Sequence, residues 1–415
     1  TPVIHEAVWQ LRGQVSVIAP SGAHYNPVDQ SIYVGSRLTA ASGGSIVRIN
    51  PNFSLTPIVG CDRPLGVVVD YATGDVFFSE DYGGNIYRIG FGSNTKQTWV
   101  SGFHSGDDDP MGMAIAPANY TGAVVQPGQA LVVDHGVNGP KEIWKWDPSV
   151  AEGEVLVMPN GGTVSLLDIA ITPTGIYFVD AVPAPGRLYQ LLSGGAYQLV
   201  ATSVPLPQVG GVAVDPLNND LLLRSHDLVL RVNPVTGITS QVVQISPIGD
   251  SGIAAGIDIS PDGRLMILSY TGANLVYIFE RAAQYTTYGA GCSGSNGVPT
   301  INAPTLRPML CTTFAVTATS LPVNAVTFGI LGLEAGLANL DPFGMTGCQL
   351  LVRNDLILFL SNHPTPTTVL WSVAIPCDPL LEGARFYQQV LATDSTANPF
   401  GAILSNAGRA VISHF

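Results

Sequence analysis

A six-residue pattern recurs along the first two thirds of this 415-residue chain and places the strongest limit on its fold. Each copy is a short apolar stretch that opens with Gly or Asp, as in Gly211-Val-Ala-Val-Asp-Pro216. The copies occupy residues 22–27, 66–71, 112–117, 168–173, 211–216 and 256–261. They follow one another at intervals of 43 to 56 residues, the longest of which contains an insertion around residues 119–129. The chain is therefore built from repeated units.

Two further strand-like stretches follow each copy. After residues 66–71, for example, they are residues 76–78 and 86–89, which are β-branched and aromatic runs bounded by Gly, Asp and Asn. A period in this range with about four strands per copy is typical of a β-propeller. Six copies predict six blades.

The sixth copy lacks a fourth strand of its own, because a Gly- and Ser-rich segment begins soon after residue 281. Residues 14–19, Gln-Val-Ser-Val-Ile-Ala, are similar to residues 241–246, Gln-Val-Val-Gln-Ile-Ser, at the fourth strand of the fifth copy. We therefore expect an N-terminal strand to complete the last blade and to leave no open edge between the first and last blades.

The repeat openings, together with segments such as residues 76–88, resemble those of NHL-repeat and related six-bladed propellers, including the gluconolactonase and virginiamycin-lyase folds. The resemblance covers residues 14–281. It implies a fold and leaves the activity open, since this fold carries enzymes, lectins and scaffolds alike.

The remainder of the chain has a different character. Residues 282–300 are rich in Gly and Ser and indicate a boundary after a propeller of residues 1–281. Residues 301–415 contain short strand-like stretches near residues 313–318, 325–331, 349–352, 368–375, 385–391 and 410–414, which predict a β-sandwich domain. Residues 291–295, 344–351, 386–389 and 405–407 resemble the C-terminal module of secreted planctomycete-like bacterial proteins. The predicted fold class is all-β.

The cysteines indicate an exported protein. Cys292, Cys311, Cys348 and Cys377 lie in or near the C-terminal domain, and Cys61 lies alone in the propeller. An even set in a compact Gly-rich module is typical of disulfides in an oxidising compartment, and zinc is disfavoured because no Cys-x-x-Cys occurs. Four cysteines allow three connectivities. We favour Cys292–Cys348 and Cys311–Cys377, with Cys61 unpaired, and expect a secreted protein.

The amino-acid composition limits the classes of molecule that this protein is expected to bind. Only 11% of the residues are charged and the net charge is −13, which argues against a nucleic-acid partner because phosphate binding needs clustered Lys and Arg. No apolar run reaches the ~20 residues of a membrane span. A mean hydropathy of +0.30 with so few charges favours burial of surface against copies of the same chain or against cell-surface components.

Polar side chains in the loops before the first and after the second strand of each blade should share one face, where propellers commonly bind ligands. These residues are Asp62, Glu80, Asp81, Asp107, Asp108, Asp109, Asp134, His135, Asp180 and His226. No cofactor is expected, although the Asp107–Asp109 run could contact calcium through its oxygens. The alternative is that these groups are solvated turn residues, since Asp is favoured in turns.

Three residues are candidates for catalysis: His24, Asp258 and Asp168. His24 and Asp258 occupy the third position of their repeats, which is apolar in the other copies, and they should be neighbours once the ring closes. A His beside a carboxylate is either a general base or a buried structural pair. Asp168 is the one carboxylate at the level where gluconolactonase-like propellers carry metal ligands. The chain contains no Gly-x-Ser-x-Gly and no His-Glu-x-x-His motif.

These observations favour an extracellular binding or structural assembly protein that associates with itself at the cell surface, or in a filament or layer. The alternative is a propeller hydrolase or lyase, lactonase-like, acting on a small extracellular substrate.

Overall fold

The computed structural model describes the chain except for residues 1, 7, 38–42, 82–83, 102–109, 136–141, 158–165, 181–185, 208, 226, 246–255, 303, 305–306, 362–366, 382 and 414–415. Regular structure in the described residues is almost entirely β-strand, which confirms the predicted class. It includes three single 3-10 turns, Ser193–Gly195, Asp341–Phe343 and Pro379–Leu381. Among the described residues, no helix has the length and apolar character needed to cross a membrane. The chain divides into two compact units, Thr1–Glu280 and Arg281–Phe415.

The first unit begins with two N-terminal strands, β1 (Val3–Ile4) and β2 (Trp9–Ser16). Four antiparallel sheets follow, and each contains four strands in chain order. Their strands are β3 (Pro20–Asn26), β4 (Ser31–Ser36), β5 (Gly44–Ile49) and β6 (Leu55–Cys61); β7 (Pro64–Val69), β8 (Val76–Glu80), β9 (Ile86–Ile89) and β10 (Gln97–Val100); β11 (Pro110–Ile115), β12 (Ala130–Asp134), β13 (Glu142–Asp147) and β14 (Val150–Val157); β15 (Leu166–Ile171), β16 (Ile176–Asp180), β17 (Arg187–Leu191) and β18 (Tyr197–Leu199).

Two more sheets complete the unit, and both include N-terminal residues. The fifth contains β19 (Gly211–Val214), β20 (Leu221–Ser225), β21 (Leu228–Val232) and β22 (Thr239–Gln244), with β1 paired to β22. The sixth contains β23 (Ile257–Ile259), β24 (Leu265–Tyr270) and β25 (Leu275–Arg281), with β2 beside β25.

The N-terminal strand lies earlier in the sequence than the predicted residues 14–19. Ile18 is exposed, and Ala19 adopts a left-handed backbone with φ of 40°, so the chain turns there and β2 ends at Ser16. The strand instead extends back to Trp9, whose side chain is 1% exposed.

The first strands of the six sheets contact one another in the order β3, β7, β11, β15, β19 and β23, and β23 contacts β3 in turn. Apolar side chains fill the spaces between adjacent sheets. Between the first two, for example, Tyr33 and Ile46 pack with Phe78. The first strands are therefore the inner wall of a propeller-type arrangement, and the fourth strands lie outermost.

The second unit has ten strands among its described residues. It contains β26 (Gln284–Tyr288), β27 (Thr300–Asn302), β28 (Thr313–Thr319), β29 (Thr327–Gly332), β30 (Ala335–Asn339), β31 (Gln349–Val352), β32 (Leu356–Ser361), β33 (Val369–Ala374), β34 (Arg385–Thr393) and β35 (Ala402–Val411). A five-stranded sheet has the order β26-β35-β34-β29-β32, a three-stranded sheet the order β27-β28-β33, and β30 pairs with β31.

Trp371 of the smaller sheet packs against Gly329 of the larger one, where a Cβ would lie 2.8 Å from the indole ring. The last strand was placed wrongly at residues 410–414, because β35 begins at Ala402 and pairs along β34. β26, β27, β30 and β32 were not predicted.

The disulfide prediction is confirmed. Cys292 is bonded to Cys348 and Cys311 to Cys377, whereas Cys61 is a free, buried cysteine. Burial raises the pKa of the Cys61 thiol to about 12, so this thiol stays protonated and unreactive at neutral pH.

Candidate binding site in the central channel

The inner strands line a cavity of about 880 Å³. Glycine at the first position of the repeat allows these strands to approach closely. A Cβ on Gly66 would lie 1.8 Å from the carbonyl oxygen of Met111, and one on Gly112 would lie 2.1 Å from Oδ1 of Asp168. The volume falls within the range of about 300–1,000 Å³ that is common for small-molecule sites.

Asp168 is the one residue at the first repeat position that is not glycine, and it lines the cavity. Its Oδ2 accepts a hydrogen bond of 2.8 Å from the backbone N–H of Val212 on β19, and its Oδ1 accepts one of 2.9 Å from Ile169. Burial raises the pKa of Asp168 to about 7, against the lowering effect of these two backbone donors, and the negative charge of Asp258 raises it further. Asp168 is thus a carboxyl group that titrates near neutral pH.

Asp258 makes a similar contact in the last sheet. Its Oδ2 accepts a hydrogen bond of 2.8 Å from the backbone N–H of Tyr25 on β3 and lies 3.6 Å from Nδ1 of His24. Burial raises the pKa of Asp258, while His24 and the N–H groups of Tyr25 and Ile259 oppose that rise. The predicted proximity of His24 and Asp258 is observed.

We expect the His24–Asp258 contact to stabilise the fold. His24→Ala should lower the free energy of unfolding by about 1–3 kcal/mol, because Asp258 then lacks one partner in a buried position. Urea unfolding of His24→Ala, Asp258→Asn and the double variant gives the coupling energy, and Asn retains an oxygen for the Tyr25 N–H. A coupling below about 0.3 kcal/mol would contradict the structural role.

Sequence reasoning missed Tyr71, which also lines the cavity. Its ring centroid lies 5.4 Å from that of His24. The signal was present, because Tyr71 stands at the sixth repeat position, where the other five copies have Pro. The departures at the first, third and sixth repeat positions thus line one cavity: Asp168, His24, Asp258 and Tyr71.

Two predicted binding-face carboxylates are instead buried and paired. Oδ2 of Asp81 lies 2.8 Å from Arg63 and 3.0 Å from Arg37. Glu80 contacts the Lys96 ammonium and accepts a hydrogen bond of 3.0 Å from the backbone N–H of Asp62. Both side chains thereby hold the β7–β8 region to neighbouring segments, and their assignment to a binding face stays a prediction.

The remaining predicted loop residues are dispersed. Asp134 and Asp180 are buried at the ends of β12 and β16, and His135 Nδ1 lies 3.3 Å from the carbonyl oxygen of Leu166. Asp62 is exposed. Asp107, Asp108, Asp109 and His226 lie outside the described residues. In the part of the chain that the structure describes, no three His, Cys, Asp or Glu side chains are grouped as a metal site would require.

Comparison with known proteins identifies the fold of the first unit. No protein-family model matches the sequence, and no curated protein matches it. A gluconolactonase from Xanthomonas campestris is 12% identical and superposes with a TM-score of 0.52 over 68% of this chain and 95% of its own. A structural-genomics target provisionally described as a gluconolactonase is 14% identical, with a TM-score of 0.51 over 67% and 93%. At these identities the likeness shows a β-propeller-type fold alone.

Proposed function

We propose that this protein is an extracellular binding protein that holds a small molecule in the channel cavity of a six-bladed propeller. In this proposal the six sheets are the blades, β2 closes the ring, and residues 301–415 form a β-sandwich. The observation that carries it is that Asp168, His24, Asp258 and Tyr71, which depart from the repeat at its first, third and sixth positions, all line one cavity. A repeat that served only as scaffold has no need to place its exceptions together.

The lining suggests the chemistry of the ligand. Apolar side chains such as Val68, Met113 and Ile169 surround most of the cavity, while Asp168 and Asp258 provide carboxyl groups. We infer a compact, largely apolar molecule that carries a hydrogen-bond donor or an amine. No cofactor is part of this proposal, and calcium at Asp107–Asp109 stays a prediction.

Filling the channel tests the proposal. Ala114→Trp places an indole in the cavity, and Leu199→Trp places one on an exposed outer strand as a matched control. In a thermal-shift screen of small amines and lactones, compounds that bind should raise the Tm of the wild type and of Leu199→Trp but not that of Ala114→Trp. Equal stabilisation of all three proteins, or of none, would contradict the proposal.

Export and self-association complete the proposal. The two disulfides are compatible with secretion. Support for self-association lies in the second unit, which exposes large apolar side chains including Leu337, Phe343 and Leu370. A resemblance to NHL repeats and to the planctomycete-like module stays a prediction.

A hydrolase or lyase of the lactonase-like kind is the second candidate. The observation that favours it is His24 beside Asp258 at the cavity wall, because a histidine held against a carboxylate works as a general base. If the protein is such an enzyme, His24→Ala should bind the same lactones in the screen but should no longer turn them over. Leu199→Trp should keep both lactone binding and lactone turnover. Turnover that persists in His24→Ala would exclude this mechanism.

A further inference from the structure

β32 differs from an ordinary outer strand. It pairs with β29 on one side, and no strand among the described residues pairs with its other side. Its sequence is Leu-Ile-Leu-Phe-Leu-Ser, and not one of the six side chains is buried. Leu356, Ile357 and Phe359 are 47%, 53% and 61% exposed. An apolar strand exposed at a sheet edge is a template for pairing with another chain.

The outermost strands of the first unit carry features that discourage such pairing. These are Pro57 in β6, Lys96 directly before β10, the three-residue length of β18, the cover of β22 by β1, and Arg12 in β2. β32 contains no proline and no charge. Its one irregularity is a register shift near Leu360, which leaves residues 356–359 regularly paired with β29. With respect to the residues that the structure describes, the edge of β32 is therefore open for pairing.

Apolar side chains next to β32 enlarge the exposed area. The backbone N–H of Leu333 donates to Oδ2 of Asp355 at 2.8 Å, which places the exposed Leu333 at the start of the strand. The Phe328 ring lies 6.1 Å from that of Phe359 in a T-shaped arrangement. We call Phe328, Leu333, Leu356, Ile357 and Phe359 the edge patch.

We propose that the edge patch binds a second copy of this chain, with β32 pairing antiparallel to itself across a two-fold axis. This inference rests on the self-association in the proposed function and assigns its surface. Pairing of identical antiparallel strands is self-complementary, and main-chain hydrogen bonds supply much of its strength. Such a contact closes at two copies, so the product is a discrete dimer and not a filament or layer.

The charges of this region fit a second copy. β32 is uncharged, so no like charges meet across the axis. At the start of the strand, Arg353 lies 2.8 Å from Glu334 and 2.7 Å from Asp355, and these charges are paired within one chain. Residues 301–415 contain four Arg and six Asp or Glu, whereas the whole chain has a net charge of −13. Two copies that meet at this unit therefore repel each other weakly.

Sedimentation velocity of the full chain over a range of concentrations tests the proposal, with Ile357→Lys and Phe359→Lys as the variants. Leu380→Lys is the matched control, because Leu380 is 89% exposed in the same unit and lies outside the edge patch. The wild type and Leu380→Lys should form dimers, and both edge variants should remain monomers with unchanged Tm. Hydrogen exchange should show concentration-dependent protection of the amides of residues 356–361.

Three outcomes would overturn the inference. If Ile357→Lys and Phe359→Lys dimerise as well as the wild type, the protein associates through another surface. The proposed self-association then stands without this interface. A loss of dimers in Leu380→Lys would show that the effect is not specific to the edge. If the wild type stays monomeric at all concentrations, the proposed self-association is wrong as well. The same holds if the amides of β32 become protected only when an extended peptide is added.

Discussion

A protein that lacks residues 1–16 should show no cooperative unfolding transition of its first unit. The deletion removes β2 and leaves β25 as an apolar outer strand with an unpaired edge. It also removes Trp9, which packs with Met266 and Phe279, and Val15, which packs with Ile267. Truncation of a buried Trp alone costs about 3–5 kcal/mol, against a total stability of about 5–15 kcal/mol for a typical protein.

Deletion of residues 1–5 is the matched control for this experiment. It removes β1, a two-residue strand whose Val3 is exposed, and it retains Glu6, which forms two hydrogen bonds with Arg231. We expect this shorter deletion to unfold cooperatively, with only a small loss of stability. The measurement is urea unfolding followed by tryptophan fluorescence and circular dichroism. Cooperative unfolding of the longer deletion at wild-type urea concentrations would show that β2 is not needed for the stability of the first unit.

The sequence predicted the repeat well because five of the six copies obey a local steric rule. Glycine at the first position is required where a neighbouring inner strand comes within contact of the Cβ position, as at Gly66. The same regularity makes exceptions informative, and it correctly placed His24 beside Asp258. Tyr71 was overlooked, although it replaces the proline that the other five copies have at the sixth position.

The features that the sequence did not reveal have a common cause, because most of them depend on contacts distant in sequence. Glu80 and Asp81 lie at the end of a strand and look like loop residues, but their partners Lys96 and Arg37 come from neighbouring segments. The end of the N-terminal strand is set by the backbone of Ala19, which no propensity predicts. The exposed strand β32 was missed because its continuous apolar run has no alternation to identify it as a sheet edge.

The stability of the wild type should fall between about pH 4 and pH 7 relative to that of Asp168→Asn. The folded pKa of Asp168 is about 7, above its ordinary value of 3.8, because burial disfavours the ionised form. The folded protein therefore holds this proton more tightly than the unfolded chain does. The contribution to stability is fully present below pH 3.8 and is lost as the pH rises through 7. The loss is up to about 4 kcal/mol, reduced by water that reaches the partly exposed carboxyl.

Asp168→Asn removes the titrating group and keeps an amide oxygen that accepts the hydrogen bond from the Val212 N–H. This variant should therefore be slightly less stable than the wild type at low pH and more stable than the wild type at pH 8. Urea unfolding at half-unit pH steps gives the two curves, and Asp62→Asn, an exposed carboxylate in the same unit, is the control. Curves of the wild type and Asp168→Asn that run parallel from pH 5 to pH 8 would contradict the raised pKa.

The expected divergence of the two stability curves has a consequence for ligand binding. An amine in the cavity would select the ionised form of Asp168, so it should stabilise the protein most above pH 7, where Asp168 alone stabilises it least.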